Sequence, residues 1–146
     1  MLAAGTAAFR REAGAPPDER RRHFENALAL YGEARRLFPD DPRPVFYQGL
    51  CWERLFGLAA DAAERRRTFE LAENAYRQAL ALSFPAPEYH PLLPYRALAS
   101  LHNAAGKNAS ALDFLKQVRR LDPEYSRASG AERDIAALET SLSRTP

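Results

Sequence analysis

The sequence predicts an all-α protein, and three observations carry that prediction. No run of β-branched residues suggests a strand, with only two Val and one Ile in 146 positions. The eleven prolines fall at 16–17, 39–44, 85–94, 123 and 146. Between them run Pro-free stretches rich in Ala, Leu, Glu and Arg, which favour helices. Within those stretches the apolar residues recur at one-sided helical spacing.

Helices are expected near 2–13, 18–38, 43–57, 61–83, 92–105, 108–121 and 130–143. The first is "MLAAGTAAFRREA", whose polar face is weak. The second starts at Asp18, an N-cap candidate, and carries Phe24, Leu28, Tyr31 and Leu37 before Pro39. The third contains "VFYQGLCW". The fourth starts at Asp61, also an N-cap candidate, and aligns Phe69, Ala72, Tyr76, Ala79 and Leu82. The fifth stops at Gly106, where a left-handed turn is expected. The sixth takes Asn108 as its cap and ends before Pro123. The last, "SGAERDIAALETSLS", turns Ile135, Leu138 and Leu142 inward.

Composition narrows the function classes. The chain is one domain's worth and should bury about two thirds of its unfolded surface. A single Cys excludes an internal disulfide framework and a multi-cysteine zinc site. The three His lie far apart, without metal-ligand spacing. Neither a metal nor a cofactor is expected. Nineteen Arg and two Lys oppose 19 acids, for a net charge of +2. That balance is too mild to indicate nucleic-acid binding by itself. No apolar run approaches the roughly 20 residues of a membrane span. "MLAAGTAAF" lacks a preceding basic region and reads as a poor signal peptide, so a cytoplasmic location is expected. No nucleophile–base pair, phosphate loop or carboxylate dyad stands out, and no enzymatic activity is expected.

An internal repeat organises the chain. "ERRRHFE", residues 19–25, returns as "ERRRTFE", residues 64–70. Ala27, Tyr31, Ala34, Leu37 and Pro39 share their spacing with Ala111, Leu115, Val118, Leu121 and Pro123. Ala72, Tyr76, Ala79 and Leu82 match it too, with Pro85 one residue late. Tyr95, Leu98, Ala99 and His102 follow the pattern W-x2-L-G-x2-Y, with Gly106 and Ala111 after them. In "VFYQGLCW", Gly49 and Trp52 fall on the small and aromatic positions, while Gln48 departs from Leu.

These residues resemble the tetratricopeptide repeat, a helix–turn–helix unit of about 34 residues. The resemblance implies one domain over 1–146, with repeats at approximately 1–39, 43–85 and 92–123 and a capping helix at 130–143. It implies a right-handed superhelix of stacked helix pairs. Small residues such as Gly49, Ala99 and Ala111 would let helices approach, and Tyr31, Tyr76 and Leu115 would fill the space beside them. The lags depart from the family: Ala27 to Ala72 is 45 residues and Ala72 to Ala111 is 39. The duplicated "ERRRxFE" is then the extra N-terminal part of two lengthened second helices.

Two candidate surfaces follow. The resemblance lines a concave groove with first helices, placing Arg43, Phe46, Leu50, Glu53 and Arg54 inward, then Leu93, Arg96, Ser100 and Asn103. Such a mixed surface suits a peptide or helix of another protein. Family members that grip a C-terminal carboxylate use a Lys/Asn/Arg clamp. Asn103 and Arg96 are present here, but the matching Lys and Asn are not. The second surface is a basic edge made by Arg20, Arg21 and Arg22 beside Arg65, Arg66 and Arg67. It would serve a polyanion or nucleic acid, the less favoured partner. Its bland alternative is two solvated helix ends with ordinary Arg21–Glu25 and Arg66–Glu70 pairs. Self-association through residues 1–13 is a third possibility. Cys51, Trp52 and His102 read as packed core residues. The connector "FPAPEYHPLLPY", residues 84–95, reads as a spacer or a recognition loop with Tyr89 and His90 exposed.

Overall fold

The computed structural model describes residues 15–82 and 85–144. Among them it is all-helical, with seven helices and no strand. The expected helix at 2–13 lies outside the described residues. The chain divides into two compact units, Met1–Pro91 and Leu92–Pro146.

The first unit contains α1 (Pro17–Leu37), α2 (Pro42–Gly57) and α3 (Ala62–Ala81). Both α1 and α3 pack against α2. α1 begins one residue before the expected cap. Pro17 takes the first helical position, which its missing N–H suits, and Asp18 falls in the first turn. There its charge complements the helix dipole without capping. Asp41 caps α2 by accepting from the Arg43 backbone N–H at 2.9 Å. Asp61 caps α3, as expected, by accepting from the Glu64 N–H at 2.8 Å.

The core between α1 and α2 gathers Phe24, Ala27, Tyr31, Cys51 and Leu55, with Leu28, Tyr47, Trp52 and Leu58 at its margin. The contact between α2 and α3 is closer. A Cβ built on Gly49 would stand 2.6 Å from Cδ1 of Tyr76, whose side chain is fully buried. The small-beside-large pairing expected at these positions is therefore present. Leu37 departs from its expected inward stripe and is 49 % exposed. It lies six residues beyond Tyr31, about 120° round the helix. Leu121 bears the same relation to Leu115 and is exposed to the same degree.

The second unit contains α4 (Leu93–Ala104), α5 (Asn108–Leu121), α6 (Pro123–Ala128) and α7 (Ala131–Ser143). Gly106 adopts φ 79°, the expected left-handed turn. The N–H of Lys107 reaches the His102 carbonyl and that of Gly106 reaches Asn103, which closes a Schellman motif. The chain passes straight from this motif into α5, so Lys107 takes the cap position and Asn108 becomes the first helical residue. α6 is not among the expected elements. Asp122 caps it by accepting from the Tyr125 N–H at 3.0 Å, and Pro123 opens it. Ala99, Ala111, Leu112, Leu115, Val118, Ala131 and Ile135 form the core, with Leu138 and Leu142 packed at its edge.

Candidate functional site

Arg43 is held by its own helix start. Its Nε and Nη2 donate to the Asp41 carboxylate at 3.0 and 2.6 Å. This bond is the main cause that lowers the Asp41 carboxyl pKa and raises that of Arg43. Phe46, expected to line an open groove, is only 4 % exposed. The rings of Tyr47, Tyr76 and Tyr89 lie 5.6–5.7 Å from it, so its surface is closed by neighbours. Leu50 is half-buried and Arg54 is exposed.

Glu53 is half-buried and accepts a hydrogen bond from the Tyr76 hydroxyl at 2.7 Å. Burial, then the Glu53 charge, pushes the Tyr76 pKa well above its ordinary value. Glu53 therefore anchors α3 to α2. Nothing in the spacing of α2 alone signals that role, because the partner is 23 residues away.

In the second unit, Leu93 and Arg96 are half-buried, while Ser100 and Asn103 are exposed. The Arg96 Nη2 approaches the Asp134 Oδ2 of α7 at 3.5 Å. It is thus a packing cation as well as a surface one. His102 is buried, with its ring edge on Phe114 at a centroid distance of 5.0 Å. Cys51 is fully buried, and burial pushes its thiol up to about 12.

The two arginine triplets do not behave as one open edge. Arg21, whose expected partner is Glu25, instead donates from Nη1 to Glu64 at 2.5 Å and from Nη2 to the Leu58 carbonyl. The Glu64 carboxyl pKa is lowered first by the Ala60 backbone N–H and then by Arg21. Arg65 lies over the Phe56 ring, 4.1 Å from its centroid. Arg20 is half-buried; Arg22, Arg66 and Arg67 are exposed. Each triplet also carries matching acids, with Asp18, Glu19 and Glu25 around the first and Asp61, Glu64 and Glu70 around the second.

Among the described residues no group of three or more His, Cys, Asp or Glu could hold a metal ion, and no helix is long and apolar enough to cross a membrane. The connector residue Tyr89 is half-buried rather than exposed, because its ring packs edge-on against Phe46. No sequence signal links these two residues. No protein-family model matches the chain, and no curated protein shows detectable similarity to it.

Proposed function

We propose that this protein is a non-enzymatic adaptor of the tetratricopeptide-repeat type, which binds a segment of another protein and supports assembly of a complex. The observation that carries this reading is the stripe Arg43, Leu50 and Arg54 on α2, in which Arg43 is paired with Asp41 and Arg54 is the exposed cation. The three share one side of the helix at steps of seven and four. Leu50 is half-buried and Arg54 exposed, while the opposing packing of Gly49 on Tyr76 holds the helix in place. A mixed apolar and cationic face on a fixed helix binds a partner with little ordering cost.

A polyanion surface is the weaker reading. Arg21 and Arg65 are engaged within the chain, and the acids beside each triplet cancel its charge locally. The two readings separate by salt. Affinity capture from native lysate at low and high salt, followed by titration of the recovered partner, is the test. Protein binding on α2 predicts retention at high salt and about tenfold loss of affinity in Arg54→Glu. Unchanged affinity in that variant refutes the groove reading. Recovery of nucleic acid alone, lost steeply with salt, transfers the function to the arginine triplets.

A further inference from the structure

Phe46 sits inside three aromatic rings, and the third differs in kind from the other two. Tyr47 and Tyr76 come from α2 and α3 and are fixed by helix packing. Tyr89 comes from the connector "PAPEYHP", residues 85–91, which belongs to no helix. Its ring meets Phe46 edge-to-face at 5.7 Å and 74°, a favourable arrangement for two aromatic quadrupoles.

The backbone before Tyr89 is unusual. Glu88 has φ 57°, and among the described residues it alone combines a side chain with a left-handed backbone. That conformation is strained for a residue with a Cβ, and persists only where the surroundings enforce it. Here the turn delivers Tyr89 to Phe46. The Glu88 carboxylate also acts on Arg43, where it is one of the charges that raise the guanidinium pKa. The connector thus meets α2 at Phe46, one of the positions expected to receive a partner.

We propose that the Phe46 face of α2 is a binding site for an aromatic side chain carried on a proline-flanked turn of a partner protein, and that Tyr89 occupies this site in cis. The class of ligand is read from the present occupant. An aromatic ring supplies the edge-to-face contact with Phe46. Pro85, Pro87 and Pro91 restrict the backbone around Tyr89, which lowers the cost of ordering it. A partner must displace a tethered competitor whose effective concentration is in the mM range. It therefore needs contacts beyond the ring, and Leu50 and Arg54 lie farther along the same helix. This inference rests on the reading of α2 as a docking face.

The test uses the full chain, wild type and Tyr89→Ala, titrated with the synthetic peptide PAPEYHP while the Phe46 and Tyr76 ring resonances are followed by NMR. Saturable shifts at Phe46 are expected in the variant, with binding to wild type weaker by about tenfold or more. The peptide PAPEAHP should cause none. A large excess of PAPEYHP on wild type should move the Tyr89 ring signals toward those of free tyrosine, a measurement that does not depend on the variant folding. The proposal is overturned if the variant shows no shift at Phe46, if both peptides act alike, or if wild type binds as well as the variant. Such a result leaves the wider docking reading to its own Arg54→Glu test.

Discussion

α1 and α3 begin with nearly the same words, "ERRRHFE" and "ERRRTFE", and both pack against α2, but the two copies meet different surroundings. Phe24 is fully enclosed at 0 % exposure, against 9 % for Phe69. The residue before each also differs. His23 lies 3.8 Å from Glu19 on its own helix, whereas Thr68 is buried and returns its hydroxyl to the Glu64 carbonyl. Farther along, Tyr31 stacks on Tyr47 at 5.3 Å and 25°, while Tyr76 presses its ring onto Gly49. A repeated segment therefore fixes which residues face inward. It does not fix what each one touches, since the opposing surface of α2 is not itself repeated.

The comparison is sharpened most by truncating the paired phenylalanines. Phe24→Ala and Phe69→Ala should each cost about 3–5 kcal/mol, with Phe24 the costlier because it is the more completely buried. Urea unfolding of both variants checks the order, and equal losses would show that the copies are energetically equivalent. Next comes the tyrosine contact that only α3 makes with a glycine. Gly49→Ala should cost about 1–3 kcal/mol, because the Tyr76 ring it meets is buried and tied to Glu53. Gly57→Ala, where a Cβ meets nothing within 4 Å, serves as the control and should stay within about 1 kcal/mol of wild type.

The smallest effect concerns the arginines at equivalent positions. Arg66→Ala should lie within about 0.5 kcal/mol of wild type, as for an exposed residue. Arg21→Ala should melt measurably lower, because it strips a donor from Glu64 and from the Leu58 carbonyl. The sign with pH follows from linkage. The Glu64 pKa is depressed below its ordinary 4.5, so its contribution is full above that value and is lost as pH falls through the folded-state value. Arg21→Ala should flatten this acid loss, and Arg66→Ala should leave it unchanged. Thermal melts between neutral and acid pH distinguish the two.

These particulars show what the sequence could carry. Asp61 and Gly106 were legible because a cap and a left-handed turn are set by residues within a few positions. The start of α6 is equally local: Asp122 followed by Pro123 opens a helix, and the same proline also serves as the stop after α5. Leu37 falls outside the buried stripe because a step of six does not return to a face that advances by three and four. The site was harder to read for a different reason. Arg21 finds Glu64 43 residues away, and Phe46 is closed by a connector tyrosine equally distant along the chain. Spacing within one helix contains neither fact. Exposure on a single helix is simpler to anticipate, and Arg54 of α2 is exposed.

The enclosed Cys51 has a practical consequence. It is the chain's one thiol, it touches the Phe24–Tyr31 cluster between α1 and α2, and burial keeps it protonated up to about 12. Alkylating reagents attack the thiolate, so they reach it only when the packing around it opens. The protein thereby carries its own stopwatch. The rate at which an added reagent consumes the thiol under native conditions counts the openings of the core around Cys51, without any introduced label.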